Sequence, residues 1–75
     1  MRGTDLRIHL KRFRLSAGLT QEQLAERVGV TRQTILSIEK GRYKPSIELA
    51  LALARVFDAP VESLFELAPD EEDGT

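Results

Sequence analysis

Cysteine is absent from this chain of 75 residues, so neither a disulfide framework nor a thiolate metal site is available. One histidine, His9, cannot found a histidine-rich metal site, and no metal or cofactor is expected. No apolar run approaches the ~18 residues needed to span a membrane. Met1–Asp5 leads into alternating apolar and basic residues, without a signal-peptide core. Catalytic patterns are missing too. No glycine-rich phosphate loop follows a strand, and Ser16, Ser37, Ser46 and Ser63 share a single histidine. Carboxylates pair only in the terminal tail or on scattered helical surfaces, so no enzyme is expected. With 41% hydrophobic and 31% charged residues in 8.4 kDa, the composition is that of one small globular domain. A cytoplasmic location is the expectation.

The last twenty residues contain no base, which the net charge of −1 conceals. All 11 Lys and Arg fall in residues 1–55, beside five acids, giving that stretch +6. Residues 56–75 carry seven acids and hence −7. Such a split suggests a basic face that meets polyanions, followed by an acidic tail.

Apolar spacing and punctuation predict five short helices and no firm strand. The first runs from Asp5, as N-cap, to Ala17, with Leu6, Leu10, Phe13 and Ala17 on one stripe and Gly18 as the stop. His9 falls on its surface, and Arg7, Lys11 and Arg12 form a solvated face. Thr20-Gln21-Glu22-Gln23 reads as a capping box that opens the second helix, and Gly29 suits a left-handed end. Thr31 caps the third, which runs to about Lys40 with Ile35 and Ile38 inward. Arg42-Tyr43-Lys44-Pro45 is a loop, because proline disfavours helix at the residue before it. Ser46 caps the fourth helix, Ile47–Phe57, where nine of eleven residues are apolar, so this is expected to be the buried helix. Asp58-Ala59-Pro60 breaks it, and Val61–Leu67 forms a last short helix that can end in an extended residue or two.

Gln21–Lys40 holds two helices separated by a few residues that include glycine, the signature of a helix-turn-helix. Ala25 is small where the two helices must cross closely. Leu24, Val28, Val30, Ile35 and Ile38 supply the inner face, leaving residues 32, 33, 36, 37 and 40 to point away. Arg32 can fork onto guanine O6 and N7, and Gln33 can pair bidentately with adenine. Thr31 and Thr34 can donate to phosphate or touch bases near the helix N-terminus, where backbone N–H groups also favour phosphate. Lys40, Arg42, Tyr43 and Lys44 follow as candidate backbone clamps, although the Tyr43 ring could equally pack on the third or fourth helix.

Gly18-Leu19-Thr20-Gln21, Leu24-Ala25, Gly29-Val30, Ile38-Glu39-Lys40-Gly41 and Pro45-Ser46 together resemble the phage-repressor-like (Xre-type) helix-turn-helix family. The resemblance covers about Leu6 to Leu67. It implies a compact all-α, five-helix, lambda-repressor-like domain, with the third helix in the DNA major groove and the second across its mouth. It makes Gln21 a phosphate or sugar contact and sets Arg32, Gln33 and Ser37 on the base-reading side. It also implies a partly buried Arg14–Glu39 pair that ties the first helix to the third.

Residues 1–68 are therefore expected to form a helix-turn-helix DNA-binding domain and residues 69–75 a disordered acidic tail. The expected function is a sequence-specific transcriptional regulator of the repressor type, nucleoid-associated and homodimeric on double-stranded DNA, with no small-molecule ligand. Val61, Leu64, Phe65 and Leu67 exceed what a terminal helix needs for its own packing and are the expected dimer contact. The rival reading is an antitoxin-like or adaptor module whose DNA binding is secondary.

Overall fold

The computed structural model describes residues 5–68; Met1–Thr4 and the acidic segment 69–75 lie outside them. The elements run β1 (Leu6–Ile8), α1 (Leu10–Ser16), α2 (Gln21–Val28), α3 (Arg32–Glu39), α4 (Ile47–Phe57), α5 (Val61–Leu64) and β2 (Phe65–Leu67). No described helix is long and apolar enough to cross a membrane.

Among the described residues there are five helices, but the description all-α is only approximate. Leu6–Ile8, assigned from sequence to the first helix, is instead a strand that pairs antiparallel with β2 in the register Leu6↔Leu67, Arg7↔Glu66, Ile8↔Phe65. Asp5 is accordingly no helix cap: its carbonyl accepts from the Ala68 N–H at 2.9 Å. The N-cap of α1 is His9, which makes no side-chain cap bond. It turns toward the sheet, where its Nε2 lies 2.7 Å from Glu66 Oε1, so it is no free surface residue. The last helix stops at Leu64 because the next three residues complete this clasp.

The inner helices follow their sequence signals closely. Thr20 Oγ1 accepts from the Gln23 N–H at 3.0 Å while Gln23 Oε1 accepts from the Thr20 N–H at 2.9 Å, the reciprocal capping box. Thr31 and Ser46 cap α3 and α4 through the N–H groups of Thr34 and Leu49. Gly29 and Gly41 take left-handed φ of 76° and 74°, where a side chain is strained. After α3 the Gly41 N–H reaches the Ile38 carbonyl and the Arg42 N–H reaches that of Ser37, a Schellman ending.

Leu10, Leu24, Ala25, Ile35, Ile38, Leu53, Ala54 and Leu64 form the core, ringed by half-buried Phe13, Val28, Val30, Leu49, Val56, Phe57 and others. Phe13 and Phe57 meet with ring centroids 5.8 Å apart, joining α1 to α4. Two expectations are corrected here. Leu64 is 0% exposed and belongs to the core, so it is unavailable to a second copy. α4 is not buried all round: Ile47 is 76% and Leu51 55% exposed.

Candidate nucleic-acid interface

α2 and α3 cross in contact, and Ala25 of α2 is small and only 2% exposed. Leu24, Ile35 and Ile38 are fully buried beneath this crossing and fix which side of α3 is left outside. With two isoleucines three residues apart facing the core, the helical period turns Gln33 outward and sets Arg32 at the flank of the buried stripe, beside α2. Both are exposed, as is Lys40 at the end of the helix. Leu36 and Ser37 are half-buried.

Thr31, Gln33, Thr34, Ser37 and Tyr43 line one shallow hollow of about 220 Å³. Gln33, Thr34 and Ser37 come from α3, Thr31 is its N-cap, and Tyr43 comes from the loop that follows it. The Tyr43 ring, 46% exposed, therefore walls the α3 surface. Within the hollow the Thr31 and Thr34 hydroxyls lie 3.2 Å apart, and the Thr31 hydroxyl also accepts from the Thr34 N–H. Hydroxyl, amide and phenol groups on one concave surface present donors and acceptors of both kinds. Arg42 and Lys44 are exposed in the adjoining loop.

Behind this face runs a chain of polar contacts that begins in α1. Arg14 is buried and donates to Glu39 through Nε at 2.7 Å and through a terminal nitrogen at 3.2 Å. Its other terminal nitrogen donates to the Leu19 carbonyl at 2.9 Å. The resemblance implied the Arg14–Glu39 pair, and the side chains are 8% and 4% exposed. A forked guanidinium on a carboxylate fixes orientation as well as distance. Removing either member would strand a buried charge.

Gln21 extends the chain, and this link was missed from sequence. Its Nε2 donates to Glu39 Oε1 at 3.1 Å, and its Oε1 accepts from Arg32 at 3.2 Å. Gln21 thus sits between the buried ion pair and an exposed arginine at the start of α3. No periodicity could have revealed it, because the contact depends on how α2 lies across α3. Among the described residues, every buried side-chain nitrogen or oxygen has a partner.

The ten residues expected at the interface divide into three groups. One lines the hollow, a second (Gln21 and Arg32) is joined at its edge, and the third (Lys40, Arg42, Lys44) is exposed beyond the end of α3. The four residues expected at a dimer contact do not form one outer surface. Leu64 is core, Val61 and Phe65 pack half-buried against it, and only Leu67, at 64%, is strongly exposed.

The helix-turn-helix family profile matches residues 10–64. An HTH-type transcriptional regulator of Archaeoglobus fulgidus is 51% identical over 89% of this chain and 94% of its own length. Another, from Methanothermobacter thermautotrophicus, is 52% identical over 87% of this chain and 96% of its own. Among solved structures, the restriction-modification controller protein C.AhdI from Aeromonas hydrophila matches with a TM-score of 0.67 at 31% identity, over 72% of this chain and 78% of that one. With its capped helix pair, its buried arginine–glutamate tie and these relatives, the chain belongs to the phage-repressor-like (Xre-type) helix-turn-helix family of transcriptional regulators.

Proposed function

We propose that this regulator is a repressor that binds duplex DNA sequence-specifically as a homodimer, with the outer side of α3 in the major groove. The observation that carries the reading is the hollow lined by Thr31, Gln33, Thr34, Ser37 and Tyr43, flanked by exposed Arg32, Lys40, Arg42 and Lys44. Arg32, Gln33 and Ser37 read base edges, since their forked or paired groups match the major-groove pattern of donors and acceptors. Thr31, Thr34, Lys40, Arg42, Tyr43 and Lys44 hold phosphates and set register. Gln21 contacts the backbone and, through its bond to Arg32, aims that guanidinium.

One such module makes few base contacts. Two copies on half-sites about one helical turn apart, ~34 Å, double the count and demand a two-fold symmetric site. A repressor then acts by occupying that site. Selection of bound duplexes from a random pool tests the reading, and a two-fold symmetric motif with half-sites one turn apart is the expected product. Recovery of no motif, with random duplexes bound as well as any other, would overturn it.

A further inference from the structure

α4 carries an outer face that the protein's own core does not use. Ile47, Leu51 and Arg55 follow one another at intervals of four residues, and Glu48 lies beside them, so the four share one side of the helix. All four are exposed, Ile47 at 76% and Leu51 at 55%. Two neighbouring aliphatic side chains left in water on a helix this short form an unpartnered patch. Alongside runs an open groove of about 540 Å³, lined by Arg27, Val28, Glu48, Leu51, Ala52, Arg55 and Val56. Among the described residues neither Glu48 nor Arg55 forms an ion pair.

The charges on this face are arranged about its centre. Glu48 precedes Leu51 by three residues and Arg55 follows it by four. A second copy laid antiparallel across Leu51 therefore sets its Arg55 against Glu48 and its Glu48 against Arg55. Parallel alignment would oppose like charges instead. Antiparallel packing also runs the two helix dipoles head to tail. A two-fold contact requires a surface complementary to itself, and an apolar centre with an acid on one side and a base on the other meets that requirement.

We infer that the outer face of α4 is the pairing surface between two copies of this chain, antiparallel about Leu51, with Glu48 of each copy facing Arg55 of the other. This deepens the homodimeric reading above and rests on it. It replaces the α5–β2 residues as the main contact, since Leu64 is core while Ile47 and Leu51 stand free. The patch is small beside the ~800 Å² per partner of a stable interface, so pairing is weak in solution and depends on concentration. One duplex holding two copies side by side raises their effective concentration and completes it.

Sedimentation of the full chain over a wide concentration range tests this. Dimer is expected at high protein concentration. Glu48→Arg and Arg55→Glu should each weaken dimerisation by about tenfold, because a two-fold axis turns two attractive pairs into two repulsive ones. The Glu48→Arg/Arg55→Glu double variant should recover it. Leu51→Asp should leave only monomer with unchanged far-ultraviolet dichroism, because the side chain is outside the core. If the chain is dimeric but indifferent to all four changes, the surface is wrong and the homodimeric reading stands. If it is monomeric at every concentration, on and off a two-site duplex, both fail. Binding to a single half-site reports on α3 separately in either case.

Discussion

α3 and α4 are both amphipathic on paper, yet they use their apolar residues differently. α3 spans eight residues, and its two isoleucines are both fully buried. α4 spans eleven, nine of them apolar, yet only Leu53 is fully buried and Ala54 nearly so, while Ile47 and Leu51 are left in water. α3 is held from behind by the Arg14–Glu39 pair and by Gln21, whereas among the described residues no such tie reaches the outer side of α4. The lesson concerns what hydrophobic content measures. It reports how much surface a helix would gain by covering, whether the cover is its own core or another molecule.

The contrast breaks first at the buried tie. Glu39→Ala should destabilise the fold by about 3–5 kcal/mol, since it leaves the Arg14 guanidinium buried without its counter-charge. Denaturant unfolding measures this, and a loss below ~1 kcal/mol would mean that water or a neighbour replaces the carboxylate. Next come paired truncations of the same residue type. Ile38→Ala should cost about 2–5 kcal/mol, and Ile47→Ala should stay within ~0.5 kcal/mol when measured dilute. Equal costs would erase the distinction between the helices.

Arg32→Ala should cost about 1–3 kcal/mol on the best duplex and relax preference at one base pair. Lys44→Ala should weaken all sequences alike and flatten the salt dependence. Loss of specific and random binding in equal measure for Arg32→Ala would remove its base-reading role.

Much of the helix-turn-helix was legible because its signals are local. Thr20, Thr31 and Ser46 cap within three residues of themselves, and Gly29 and Gly41 impose their turns where they stand. The β1–β2 clasp was not legible, because Leu6–Ile8 finds its partner only at Phe65–Leu67, nearly the whole chain away. Leu6 and Leu10 also fitted a helical stripe. The alternation Leu6-Arg7-Ile8 and Phe65-Glu66-Leu67 was the available signal, but three residues are too few to separate period two from period 3.6. The outer face of α4 escaped for a different reason. When nine residues of eleven are apolar, periodicity cannot say which of them the core will take. The resemblance points Gln21 at DNA, and its bonds to Glu39 and Arg32 depend on tertiary packing alone.

The smallest effect belongs to the clasp. Hydrogen bonding from His9, helped by the charges of His9 and Arg7, holds the Glu66 carboxyl below the usual carboxylate range. A carboxylate whose folded pKa is depressed contributes stability above its unfolded pKa and loses it as pH falls through the folded value. Glu66→Gln should therefore lower the melting temperature slightly near neutrality and flatten its decline in acid. Melting curves from weakly acidic to strongly acidic buffer check this, and superimposable profiles would show that the contact contributes nothing.

DNA recognition by the outer side of α3 is tested most directly by amide chemical-shift mapping during titration with a selected duplex. The largest shifts are expected on Gln21, on residues 31–37 and on residues 40–44, with β1 and β2 unchanged. Shifts concentrated on the β1–β2 clasp, or none at low salt, would contradict it.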